Sequence, residues 1–163
     1  MAKTMSREVP TDQNKWERWA DKLVDWLTKK YSVPKPTVRL ISADTLSDYD
    51  PEFEKDPRFR QSRGVFDPDW EKNGVRDPTI LVLIGDTSKV DEVHTGMRIM
   101  SILFHEYHHY LDWVNPSRRR VPKRIPKLPY GFEVRPGELL RKERWIWYRA
   151  QMDIKEFSRK NTS

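Results

Sequence analysis

Thr79-Ile80-Leu81-Val82-Leu83-Ile84-Gly85 is a continuous apolar run closed by glycine, and it is the strongest strand signal in the chain. A run of this length with no alternation suits a strand covered on both faces. Downstream, Ser88 and Asp91 form a Ser-x-x-Asp start of the capping-box kind. The spacing then predicts a helix to about Val114, stopped by Asn115-Pro116. Val93, Met97, Met100, Phe104, Tyr107, Leu111 and Val114 are its expected core-facing residues.

Upstream, Trp16, Ala20, Leu23, Val24, Leu27 and Tyr31 recur at helical spacing, with Thr11 or Asp12 as cap and Pro34 and Pro36 beyond the end. Thr37–Ser42 alternates like a strand, and Gly64–Pro68 reads as a short strand ending in a turn. Residues 43–63 read as an excursion. Residues 115–135 are irregular and rich in proline, and Pro136 suits the first position of a last helix. That helix carries Leu139, Leu140, Ile146, Trp147, Ala150, Ile154 and Phe157 on one side. Helix, strands, helix, basic loop, helix is an α+β order: a small sheet with helices packed on it. A chain of 163 residues suits one domain, read as 11–163 after a polar lead of 1–10.

Cysteine is absent, so thiolate metal sites and disulfides are excluded, and any metal must use histidine and carboxylate ligands. The N-terminus lacks the apolar core of a signal peptide, and no stretch approaches the ~18 apolar residues of a membrane span. The expectation is a cytoplasmic protein with no membrane partner. The net charge of +6 is concentrated in Ser117–Lys142, where nine Lys/Arg face Glu133 and Glu138, so the rest of the chain sums to −1. Such a segment suits acidic partners, but it has little aromatic interleaving for base stacking. A solvated loop is the favoured reading, and nucleic acid is an open but disfavoured partner.

The chemistry lies in His105-Glu106-Tyr107-His108-His109. Residues four apart on a helix stand roughly 6 Å from each other on one face. His105 and His109 are thereby candidates to hold one zinc ion, with Glu106 one step round, placed for the ion's water rather than the ion. His108 is read as outside the ligand set. His94 lies three turns back, about 16 Å away at 1.5 Å per residue, and cannot share the ion. Asp112 is read as an ordinary polar residue near a helix end, with a role in orienting a histidine as the alternative. A third ligand from downstream must be a carboxylate: Glu133, Glu138 or Glu143.

His105–Asp112, followed by Arg135-Pro136-Gly137-Glu138-Leu139, resembles the small gluzincin-type metallopeptidases, namely the proabylysin-like minigluzincins and the ImmA/IrrE-like domains. The resemblance covers residues 64–150. It implies a zincin-like fold, a zinc endopeptidase acting on peptide or protein substrates, His105, His109 and Glu138 as ligands, and Glu106 as general base. Arg141 and Lys142 depart from the small residues that often continue the family's ligand helix. Position on the apolar stripe favours Glu143, between Leu139/Leu140 and Ile146/Trp147. Glu138 is the favoured third ligand, because Glu143 has Arg141 and Lys142 beside it as alternative partners. The group includes latent forms whose own chain covers the cleft; Arg144–Ser163 is a candidate cover, although a core helix is the favoured reading. Two other functions stand beside the endopeptidase: an SprT-like protease acting on DNA-bound proteins, and a catalytically weak regulatory binding protein.

Overall fold

The structure, a computed structural model, describes residues 12–42, 63–72, 74–84, 91–130 and 141–160. Among them the chain forms α1 (Asp12–Tyr31), β1 (Thr37–Ser42), β2 (Arg63–Lys72), β3 (Val75–Ile84), α2 (Glu92–Val114), a 3-10 turn (Pro116–Arg119) and α3 (Arg141–Lys160). The lead of residues 1–10, residues 43–62 of the excursion, Ser88, and the segment with Glu133, Pro136 and Glu138 lie outside the described residues, and Arg63 belongs to β2.

The apolar run of β3 becomes the centre of a mixed sheet of order β1-β3-β2. β1 pairs with β3 in parallel, Thr37 opposite Thr79, and β2 pairs with it antiparallel, Gly64 opposite Val82. Alternate side chains of a strand leave opposite faces. Ile80, Val82 and Ile84 join the large core with the helices, while Leu81 and Leu83 join Ile41 in a second cluster with Val65 and Trp70.

Two strands are longer than their sequence signals. β2 does not stop at Pro68 but runs to Lys72, and β3 begins at Val75 rather than Thr79. The hairpin turns at Gly74, whose φ of 79° suits a residue without a Cβ. Asp67 pairs with Thr79 and Trp70 with Asp77, so two residues of β2 oppose Pro78 alone. That bulge takes up Pro68 and Pro78, neither of which has an N–H for the ladder.

α2 packs against β2, β3, α1 and α3. Its cap differs from the Ser88 expectation: Asp91 is the N-cap, and its carboxylate accepts from His94 N at 2.8 Å. Its inward face is also rotated from the expected stripe. Met100, Phe104, Tyr107 and Leu111 are buried, but Val93 (69 % exposed), Met97 (54 %) and Val114 (39 %) face outward. Ile99, Leu103 and Tyr110 are buried instead, together with the polar Glu106, His108 and Asp112. On α1, Ala20, Leu23, Val24 and Leu27 are buried as expected, and on α3 Ile146, Ala150, Ile154 and Phe157 are. Phe157 meets the rings of Trp19, Trp26 and Phe104 edge-on. Residues 141–160 are therefore a core helix.

One buried carboxylate ties the three helices together. Asp153 of α3 accepts from His108 Nε2 of α2 at 2.7 Å and from Tyr31 Oη and Lys30 Nζ of α1 at 2.6 and 2.5 Å. Burial drives the His108 imidazole below its ordinary pKa, outweighing the carboxylate beside it, so the ring is neutral. Burial acts to raise Asp153, but hydrogen bonds from His108, Lys30 and Tyr31 outweigh it and hold the carboxyl below its usual range. Both groups bind fewer protons folded than unfolded. Their contributions are complete above the unfolded pKa values, about 6.5 for histidine and about 3.9 for aspartate, and are lost as pH falls. Melting curves at pH 7.5 and 5.5 should show a smaller loss of Tm for His108→Gln than for the wild type; equal losses would contradict this assignment. Asp153→Ala should cost about 1–3 kcal/mol, since it leaves the buried His108 Nε2–H and the Tyr31 hydroxyl without their acceptor.

Candidate metal centre

Two helices build the site. α2 presents His105, Glu106 and His109 on the face turned to α3, and the first turn of α3 presents Glu143. Glu143 Oε2 lies 3.2 Å from His105 Nε2, and its Oε1 lies 3.0 Å from His109 Nε2. One ligand atom from each of the three residues falls within 4.8 Å of the others. The His105 and His109 rings stand 5.0 Å apart at 78°. Glu106 Oε1 is 3.8 Å from His105 Nε2, off the line of the other three. The His105 and Glu106 side chains keep 13 % and 8 % of their exposure, unlike solvated histidines on a surface helix.

The electrostatics follow from this contact. Hydrogen bonds from His105 and His109 hold the Glu143 carboxyl well below the usual carboxylate range, against the opposing effect of burial. For His109, burial acts to lower the pKa, but the hydrogen bond to Glu143 and the charges of Glu106, Glu143 and Asp112 outweigh it and raise the imidazole. The carboxylate is thus ionised, with a donor set of two imidazoles and one oxygen anion.

Zinc binds imidazole nitrogen and carboxylate oxygen at about 2.0–2.2 Å, and tetrahedral geometry then puts neighbouring ligand atoms about 3.4 Å apart. Each Nε2 lies against a different Glu143 oxygen, at 3.0 and 3.2 Å, and one ligand atom of each residue falls within 4.8 Å of the others, so the three must draw together by up to about 1.4 Å around a zinc ion. Two imidazoles and a carboxylate are a donor set that could hold one.

Beside the three groups lies a cavity of about 530 Å³. β2 contributes Gly64, Val65, Phe66 and Pro68, α2 contributes Glu106, His109 and Trp113, and α3 contributes Glu143, Trp145 and Arg149. A smaller cavity of about 320 Å³ between α1 and β1 contains none of the site residues. β3 is the central strand, paired on both sides, and the strand beside the cleft is β2. Gly64 permits the close approach. A Cβ there would lie 2.5 Å from Ile102 Cγ2 and 2.7 Å from Glu106 Cγ.

The other sequence candidates separate clearly. Glu138 and Glu133 lie outside the described residues, and the carboxylate found between the two histidines is Glu143. His108 turns away to Asp153, and His94 is exposed, with Nδ1 2.8 Å from Asp91. Asp112 is not an ordinary polar residue at a helix end. It is buried and accepts two hydrogen bonds from Arg149, at 2.8 and 3.0 Å. Arg149 and Gly64 were missed from the sequence: the first is paired only by the tertiary fold, and nothing local marks the second. Several basic-segment residues have internal work. Arg118 lies over the Tyr31 ring, Arg119 Nε donates to the Asp112 carbonyl, and Arg141 donates to the carbonyls of Pro122 and Lys123.

No protein-family model, curated protein or solved structure matches the chain.

Gly64→Ala should push β2 off α2 and displace Glu106, costing about 1–3 kcal/mol by overpacking. Chemical denaturation measures the loss; a variant as stable as the wild type would show that the strand and helix have slack at this contact.

Proposed function

We propose that this chain is a zinc-dependent endopeptidase in which His105, His109 and Glu143 hold the ion and Glu106 is the general base. The observation that carries the reading is the meeting of the Glu143 carboxylate with both histidine Nε2 atoms, beside an open cleft. His105, His109 and Glu143 would hold the zinc ion, which would supply a Lewis acid and a water with its pKa lowered to about 7. Glu106, one residue from His105 and off the ligand line, accepts a proton from the attacking water and delivers it to the leaving amine nitrogen. Its burial beneath β2 keeps the carboxylate in one place for both transfers.

Substrate has a matching surface in β2. Among the described residues no strand pairs with its outer side, and Gly64, Val65, Phe66 and Pro68 line the cleft. An extended peptide adding to that edge would run past Glu106 with its main chain hydrogen-bonded. The bulge after Asp67 ends the regular part of the edge. The DNA-linked reading gains less support, because Arg118, Arg119 and Arg141 are engaged within the chain. No described helix is long and apolar enough to cross a membrane.

Purified protein is expected to hold about one zinc per chain by elemental analysis, and Glu143→Ala should lose zinc affinity by about 100-fold or more while Glu138→Ala keeps it. The opposite pattern would return the third ligand to Glu138. Glu106→Gln should retain zinc and the fold yet lose cleavage of an unfolded protein by about 100-fold or more. Wild-type turnover by that variant would remove Glu106 from the base role.

A further inference from the structure

His105 is held in an unusual way for a ligand imidazole. Nε2 donates to Glu143 in the ion-free site; with an ion on Nε2 instead, the neutral ring would carry its proton on Nδ1. That Nδ1 is buried and meets no hydrogen-bond acceptor among the described residues. A metal-binding histidine almost always donates this second N–H to a carboxylate, a carbonyl or water, which fixes the rotation of the ring. Here a face contact takes that place. The Trp147 indole lies over the imidazole with ring centroids 4.1 Å apart and planes 31° from parallel. Trp147 follows Glu143 by one helical turn on α3, so the face that brings the carboxylate also brings the indole. The His109 ring meets His105 edge-on.

We propose that Trp147 is the positioning residue for His105, its indole face setting the plane in which Nε2 is delivered to the ion. This rests on the zinc reading of the site. The imidazole χ2 torsion is broad and roughly two-fold, so without a hydrogen bond at Nδ1 the orientation rests on the Nε2 contact with Glu143 and on packing. A flat replacement at 147 keeps that selection. A flexible aliphatic one loses it, and the ring then spends part of its time with Nε2 turned from Glu143.

The test uses the full chain with Trp147→Phe and Trp147→Leu, and Trp147→Met as a second flexible replacement should the leucine variant fold poorly. Zinc affinity is measured by competition with a chromophoric chelator, with circular dichroism confirming folded protein at the same temperature. The phenylalanine variant should bind within about threefold of the wild type. The leucine or methionine variant should lose on the order of 10- to 100-fold, as when a ligand's supporting partner is removed. NMR of the zinc-free protein reads the orientation independently. Overhauser contacts from the His105 ring protons to the Glu143 side chain should show one ring orientation in the wild type and the phenylalanine variant, and an average of two in the aliphatic variants. Unchanged or tighter zinc binding by a folded aliphatic variant, or Overhauser contacts that keep the wild-type pattern in it, would overturn the inference. A wild type that binds no zinc would overturn the zinc reading, and the Overhauser contacts would then still decide whether Trp147 sets the ring.

Discussion

The α2–α3 contact is the constraint on which the rest depends. Glu143 meets His105 and His109 only if α3 lies on α2 in one register, and buried polar contacts specify that register. Asp153 engages His108, and Arg149 engages Asp112 through a two-pronged pair. On α2, His108 and Asp112 flank His109; on α3, Arg149 and Asp153 follow Glu143 at roughly one and a half and three turns. Apolar packing by Ile146, Ala150, Ile154 and Phe157 supplies attraction but tolerates sliding, whereas a slipped helix would strand buried charges. The polar contacts thus choose among packings that the apolar residues alone would leave close in energy.

The same constraint accounts for the character of α2. Its inward face carries a glutamate, a histidine and an aspartate among aromatic and aliphatic residues, and the last two are matched by a partner on α3. Buried polar groups without partners are costly, so the sequence of one helix commits the sequence of the other. β2 closes the arrangement from the opposite side, at the distance that Gly64 allows, and leaves the cleft between strand and helix.

Much of this was legible in the residues and some was not. The apolar run 79–85 marked the central strand, and the spacing of Leu23, Val24 and Leu27 marked the buried face of α1. The HExxH spacing placed His105 and His109 together with Glu106 beside them. The α2 stripe was misjudged because Val93, Met97 and Val114 were counted as core for being apolar, while buried Glu106, His108 and Asp112 were counted as polar. Hydropathy does not see a polar group whose partner lies on another helix. The full extent of β2 and β3 was missed because Pro68 read as the turn ending one strand and the apolar run began the other at Thr79; Pro68 and Pro78 meet at a bulge, and the Asn73-Gly74 pair was the overlooked hairpin signal. For the third carboxylate, the apolar-stripe argument pointed to Glu143 and the family resemblance to Glu138. The described site contains Glu143, whose half-buried place between two imidazoles follows from its position on the stripe.

The most direct test of the central claim is crystallographic: diffraction data from zinc-soaked protein, collected on either side of the zinc absorption edge. The account predicts one strong anomalous peak about 2.0–2.2 Å from His105 Nε2, His109 Nε2 and a Glu143 oxygen. A peak coordinated by Glu138 with Glu143 turned away, or no peak at the two histidines, would contradict it.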